Sequence, residues 1–85
     1  MSQAALPSAS QLRWRCRRGM LELDLLLNTF VEIEYTQLSK EDVELFLTLL
    51  EYTDQDLLDL LLEKTEAADE LMASLVTKIR NTCRN

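Results

Sequence analysis

Residues 39–50 of the chain read SKEDVELFLTLL, a stretch with the pattern of an amphipathic helix and its own start signal. Ser39, followed three residues later by Asp42, resembles a capping box, in which each side chain hydrogen-bonds the backbone N–H of the other residue. Apolar side chains then recur at three- and four-residue steps, which line one helical face: Val43, Phe46, Leu47 and Leu50. The stretch therefore predicts a helix that begins after Ser39 and packs one side against a core.

Two more helices are predicted on the N-terminal side of this stretch. One covers about residues 20–35 and has its main apolar face at Leu23, Leu26, Leu27 and Phe30. Further apolar side chains on other faces of the same segment predict a central helix with neighbours on more than one side: Leu21, Leu25 and Ile33. A short helix over about residues 10–17 precedes it, and Gly19 is expected to end that helix in a left-handed conformation at its C-cap.

Two helices are also predicted on the C-terminal side. Thr53 and Asp54 are N-cap candidates for a short, leucine-rich helix that ends near Lys64. Thr65 can then begin a fifth helix, whose apolar positions keep the helical period as far as Arg80. The pattern along the chain is thus five helices separated by short connections.

The composition supports one all-α domain, a compact five-helix bundle. With 85 residues the chain can close a single hydrophobic core, and one glycine and one proline leave little material for the tight turns of a sheet-rich domain. We expect residues 1–9 to form a flexible tail, residues 10–82 the helical domain and residues 83–85 its C-terminal end.

The charge distribution is strongly asymmetric. Residues 1–20 carry four arginines and no acid, whereas residues 21–85 carry five basic and fifteen acidic residues, for a net charge of −6. An acidic body disfavours nucleic-acid binding, which relies on neutralising phosphates along a basic face. Without an apolar run long enough for a secretory signal or a membrane span, we expect a cytoplasmic protein with no membrane insertion. The arginine-rich start leaves a mitochondrial presequence as an alternative.

The residue combinations that usually identify an enzyme of this size are absent from the sequence. It has no histidine, and its two cysteines, Cys16 and Cys83, stand at opposite ends without metal-ligand spacing. Without a histidine to act as its base, Cys16 is interpreted as a partly buried apolar side chain. No glycine-rich loop is present to hold a phosphate. We therefore expect a protein that binds another protein and does not catalyse a reaction.

Residues 14–24, WRCRRGMLELD, contain the most specific motif of the chain. Arg18, Gly19 and Glu22 match an Arg-Gly-x-x-Glu pattern. The surroundings agree with the same pattern at Trp14, Arg17, Met20, Leu23, Asp24 and Phe30. The stretch resembles the SdhE family of FAD assembly factors, also called YgfY or CptB, and the likeness extends over about residues 12–80.

The resemblance implies a function whose chemistry belongs to a partner protein. Members of this family bind the flavoprotein subunit of succinate dehydrogenase, and often that of fumarate reductase, and promote covalent attachment of FAD to a histidine of that subunit. By this likeness the chain is a chaperone-like factor that holds no cofactor stably, and we expect it to be a monomer. FAD would be attached to the partner.

The resemblance also implies which residues bind the partner: Trp14, Arg17, Arg18, Gly19, Glu22 and Asp24. Arg17 and Arg18 would make charge-assisted hydrogen bonds, and Glu22 a buried or nearly buried polar contact. Gly19 would form a bend whose missing side chain admits close backbone approach, and Trp14 would be a rim or anchor aromatic.

Two alternatives stay open on the sequence. In the first alternative, Arg18 and Glu22 only form an ion pair with each other, one helical turn apart. Such a pair contributes about 0.2–0.5 kcal/mol to stability. In the second, the chain is an antitoxin-like interaction module of the CptB type that acts on a toxin or on the cell-division machinery. A pull-down separates the two functions, since one recovers a flavoprotein subunit and the other a small membrane protein or a filament-forming protein.

Overall fold

A computed structural model describes residues 7–84 of the chain, without the side chains of residues 83 and 84. The described residues form five α-helices, and a 3-10 turn at Tyr35–Gln37 extends the second of them. The helices are α1 Ala9–Arg15, α2 Leu21–Glu34, α3 Lys40–Leu49, α4 Asp54–Leu61 and α5 Glu70–Arg84. The predicted all-α, five-helix architecture is confirmed for this part of the chain.

Side-chain caps start three of the helices. Ser39 Oγ accepts a hydrogen bond from Asp42 N (3.1 Å), and Asp42 Oδ2 accepts one from Ser39 N (3.4 Å), which is the predicted capping box. Thr53 Oγ1 accepts from the backbone N–H of Asp56 (3.1 Å) at the start of α4. Ser8 and Gln11 form a second capping box at the start of α1, two residues before the predicted start of this helix. These caps satisfy N–H groups that a helix start otherwise leaves without a partner.

The helix α2 lies at the centre of the fold and contacts α1, α4 and α5. Its buried residues are Leu23, Leu27, Phe30 and Val31. The rings of Phe30 and Phe46 meet in the core with centroids 5.5 Å apart. The prediction that Leu21, Leu25 and Ile33 pack against further helices is wrong, because all three are more than half exposed. The central position of α2 comes instead from its single buried face, which several helices share.

The fifth helix begins at Glu70 and not at Thr65 as predicted. After α4 the chain turns back on itself at Glu63, whose φ of 64° lies in the left-handed region. The backbone N–H groups of Lys64 and Thr65 both donate to Asp59 O, at 2.8 and 3.4 Å. Closing the end of α4 therefore uses the residues that were expected to start the next helix.

Two other helix ends also differ from the sequence-based expectation. Helix α5 continues past Arg80 to Arg84, since residues 81–84 contain no glycine or proline to stop it. Helix α1 ends at Arg15 with Cys16 as its C-cap, so Gly19 lies beyond the helix and does not cap it. Gly19 does adopt the predicted left-handed conformation, with φ of 83°.

The predicted tail, residues 1–9, falls largely outside the described residues, which begin at Pro7. Pro7 O accepts a hydrogen bond from the hydroxyl of Tyr35 (2.8 Å), and Ala9 is the first residue of α1. Residue 85 and the side chain of Cys83 also lie outside the description. Between residues 7 and 84, no helix has the length and apolarity needed to cross a membrane.

Candidate functional site

Residues 16–20 connect α1 to α2 through a sharp turn that contains most of the motif. Gly19 is exposed, and its φ of 83° is a conformation that glycine adopts without steric cost. A Cβ built on Gly19 would meet no heavy atom within 4 Å outside its chain neighbours. The positive φ of the turn therefore requires the glycine, and the space beside it is open to a partner molecule.

We expect Gly19→Ala to lower the free energy of unfolding by about 1–2 kcal/mol, because an L-residue is strained in the left-handed region. Urea denaturation followed by circular dichroism measures this loss. Gly19→Asn should cost less than Gly19→Ala although asparagine is larger, since asparagine tolerates this conformation. A larger loss for asparagine would show that space, and not backbone strain, is what requires the glycine.

Asp24 closes the turn from the first turn of α2. Its Oδ1 accepts from the backbone N–H of Arg18 (2.8 Å), and its Oδ2 accepts from that of Gly19 (3.3 Å). The carboxylate thus satisfies two successive backbone donors and ties the motif to the helix that follows. This accounts structurally for an aspartate at this position, whether or not a partner also contacts it.

The guanidinium of Arg18 binds the loop between α3 and α4. Its Nη1 donates to Leu50 O (2.8 Å), its Nη2 donates to Tyr52 O (2.7 Å), and its Nε donates to the carboxylate of Asp54. Only 17% of the side chain is exposed. Arg18 forms its ion pair with Asp54, so the alternative pairing with Glu22 is not what the structure shows. Three of its five N–H groups are used within the chain.

Trp14 and Arg17 form the exposed part of the site. Trp14 is 69% exposed, and Cζ of Arg17 lies 5.2 Å from the centroid of the indole ring system. This distance is within cation–π range. A shallow hollow of about 650 Å³ lies beside the indole, lined by Pro7, Ser10, Gln11, Trp14, Arg15 and Leu47. An exposed tryptophan with a stacked arginine is the kind of pair that protein interfaces use as an anchor.

Glu22 lies in the first turn of α2, three residues after Gly19, and its side chain is exposed. Among the residues that the structure describes, the Glu22 side chain makes no hydrogen bond or ion pair. The predicted buried polar contact of Glu22 therefore needs a second molecule to cover it. The turn thus presents an open glycine, an accessible carboxylate and a stacked arginine–tryptophan pair. We call these four exposed residues around the turn, Trp14, Arg17, Gly19 and Glu22, the motif corner.

Comparison with known proteins identifies the family of the chain. A family model described as flavinator of succinate dehydrogenase matches residues 10–83. The chain belongs to this family. The predicted resemblance is therefore confirmed, and the matched residues are close to the range of about 12–80 over which it was predicted.

Proteins named FAD assembly factor SdhE are similar to this chain over most of its length. The protein from Shewanella oneidensis is 41% identical over 75 residues, which cover 88% of this chain and 92% of the relative. That from Idiomarina loihiensis is 40% identical over 75 residues, covering 88% and 83%. That from Coxiella burnetii is 38% identical over 73 residues, covering 86% and 89%.

Asp54 belongs to the site through its contact with Arg18, but the sequence did not identify it as a site residue. The sequence suggested it as a possible helix cap, whereas the structure gives the cap to Thr53 and pairs Asp54 with Arg18. The two residues are 36 positions apart, so no local pattern connects them. The only signal was that Asp54 lies within the range, about residues 12–80, over which the resemblance extends.

Cys16 is fully buried in the core of this flavinator-family chain, deeper than the partial burial that was predicted. Burial raises the pKa of its thiol to about 12. Because the thiolate is the reactive form, Cys16 is protonated and inert near neutral pH. Across the described residues, no group of histidine, cysteine, aspartate and glutamate side chains is arranged to hold a metal ion.

We expect Cys16 to escape a thiol reagent such as DTNB at neutral pH until the protein unfolds. A Cys83→Ser variant removes the second thiol, so that any colour comes from Cys16 alone. The reagent should then react only after denaturant is added, at the rate of unfolding. Rapid, complete reaction of the native variant would contradict the burial of this side chain.

Proposed function

We propose that this chain is an FAD assembly factor that binds the flavoprotein subunit of succinate dehydrogenase and promotes covalent attachment of FAD to that subunit. The observation that carries the proposal is the family match over residues 10–83. The names of the relatives, FAD assembly factor SdhE, support it. The exposed motif corner supports it further, because it supplies a surface on which a partner can dock.

The motif corner has the physical properties that binding to a protein surface requires. Glu22 offers a carboxylate and Arg17 a guanidinium, each able to form charge-assisted hydrogen bonds that are stronger than neutral ones. Gly19 allows a partner's backbone to approach closely, and Trp14 provides a large rigid apolar surface. Arg18 and Asp24 hold the turn in place, so little ordering entropy is lost when a partner binds.

In this proposal the covalent chemistry takes place on the flavoprotein. The chain binds one conformation of the subunit more tightly than others and so populates the arrangement in which flavin and acceptor side chain can react. It is not an enzyme, it holds no FAD stably, and it works as a monomer in the cytoplasm. The flavoprotein subunit of fumarate reductase is proposed as a second client.

The test is co-expression with the flavoprotein subunit of succinate dehydrogenase in cells that lack their own assembly factor. Covalent flavin is measured by in-gel fluorescence of the denatured subunit, and a tag on the chain tests for complex formation. Flavinylation that depends on the chain, together with recovery of the subunit, supports the proposal. Unchanged flavinylation without the chain would overturn it. Recovery of a small membrane protein or of a filament-forming protein in its place would favour the antitoxin-like function.

Three smaller measurements address the finer parts of the proposal. Isothermal titration of FAD into the isolated chain should give no binding at micromolar concentrations, and stable binding would contradict the absence of a held cofactor. Repeating the co-expression with the fumarate reductase flavoprotein tests the second client. Sedimentation of the purified chain measures whether it is a monomer.

A further inference from the structure

We propose that Arg18 is a positioning residue, which fastens the loop between α3 and α4 (residues 50–53) to the motif corner so that both form one surface for the flavoprotein. The inference rests on the proposed function. It assigns Arg18 a different role from the direct partner contact that the family resemblance implies. It also gives Asp54 a role in binding, because Asp54 helps to hold the Arg18 guanidinium in place.

Arg18 is held at both of its ends by different parts of the fold. Its backbone N–H is bonded to Asp24 of α2, and its guanidinium reaches residues that lie 32–36 positions later in the chain. The acceptors on the loop side are Leu50 O, Tyr52 O and the Asp54 carboxylate. One side chain therefore sets the distance between the turn that carries Gly19 and the loop that carries Tyr52.

The guanidinium also matches the electrostatics of its position. Leu50 is the C-cap of α3, where carbonyl groups lack helical partners and the helix dipole is negative. Asp54 is the first residue of α4, where the dipole is positive. The cation thus bridges the end of one helix and the carboxylate at the start of the next. A lysine carries the charge but lacks the planar fork that serves three acceptors at once.

Direct contact with a partner is a poor use of this side chain. With 17% exposure, Arg18 has little surface to offer a partner, and moving its guanidinium outwards would leave acceptors inside the chain unpaired. Arg17 is already exposed beside Trp14 and needs no such exchange. The loop, by contrast, presents the exposed residues Glu51 and Thr53 next to the turn. The geometry therefore places Arg18 behind the surface and Arg17 on it.

The test compares Arg18→Lys and Asp54→Ala with Arg80→Ala as a matched control. Arg80 donates two N–H groups to Leu60 O at the end of α4, so its removal also deletes a partly buried arginine that binds a helix end. The factor is titrated against the purified flavoprotein subunit while covalent flavin formation is followed. Amide hydrogen exchange at Glu51 and Tyr52, whose N–H groups close the loop turn, is measured on each variant alone.

A positioning role predicts that Arg18→Lys and Asp54→Ala each raise the half-saturating concentration of the factor about tenfold, with the plateau rate unchanged. Both variants should exchange the two loop amides faster than the wild type, and Arg80→Ala should alter neither the half-saturating concentration nor these amides. A general loss of folded protein would instead lower the flavinylation activity of all three variants together, Arg80→Ala included. The half-saturating concentration of the double variant Arg18→Ala/Asp54→Ala should equal that of Arg18→Ala alone, because both changes remove the same ion pair between Arg18 and Asp54.

Wild-type behaviour of Asp54→Ala, or tighter binding by it, would overturn the inference and favour direct contact by a freed Arg18. Faster loop exchange with unchanged half-saturating concentrations would overturn it too, since the loop would then be loosened without consequence for the partner. A wild-type chain that has no effect on flavinylation would overturn the proposed function itself. The hydrogen exchange results would still report on the link between Arg18 and the loop.

Discussion

Phe46→Ala is expected to lower the free energy of unfolding by about 3–5 kcal/mol, which is a large part of the about 5–15 kcal/mol that holds a typical domain folded. Phe46 is fully buried and packs against Phe30 of the central helix. Removing its ring loses the transfer free energy of the buried carbons and leaves a cavity that the surrounding helices fill only in part. Urea denaturation followed by circular dichroism measures the loss.

The matched control is Leu71→Ala, which also shortens a large apolar side chain within a helix. Leu71 is 65% exposed, so its truncation leaves no cavity, and alanine is a good helix former. We expect its free energy of unfolding to change by less than about 0.5 kcal/mol. Similar losses for the two variants would contradict the placement of Phe46 in the core and of Leu71 on the surface.

Glu22→Lys is expected to weaken binding to the flavoprotein subunit by about 30-fold or more, and to lower flavinylation accordingly. The carboxylate of Glu22 is exposed in the unbound chain, and docking would cover it against a partner group of opposite charge. Reversing the charge both removes that pair and creates a repulsion in its place. Affinity is measured by titration with the purified subunit, and flavinylation by in-gel fluorescence after co-expression.

Glu41→Lys provides the control for Glu22→Lys because both glutamates are exposed at the second position of a helix. Each reversal places a cation near the positive end of a helix dipole, so both variants should be destabilised by a similar amount, about 0.3–1 kcal/mol. Only the variant in the motif corner should lose binding. Equal binding by both would remove Glu22 from the interface.

Much of the fold could be predicted because its signals are local. Ser39 and Asp42 are three residues apart, and their hydrogen bonds form within a single helical turn. The helical period of apolar residues in the same stretch was likewise sufficient to identify a buried face. The start of α5 could not be predicted in this way. Residues 65–69 have no strong breaker, and it is the closure of α4 on Asp59 that delays the helix.

The candidate site divides along the same line. The resemblance to the family motif predicted Gly19, Glu22, Arg17 and Trp14 as site residues, and the structure leaves all four exposed around the turn between α1 and α2. The task of Arg18 could not be found from spacing, because its acceptors come from a loop more than thirty positions away. From the sequence, the expected contacts of Arg18 were with a partner protein or with the nearby Glu22.

By itself the sequence determined that this chain is helical and where α3 and α4 begin. Those properties depend on contacts within one or two turns, which the order of residues specifies directly. Only the tertiary structure decided that Arg18 joins Asp54, that Cys16 is sealed in the core and that Leu21 and Leu25 face outwards. Such outcomes depend on which helix faces meet, and that choice minimises the free energy of the whole core.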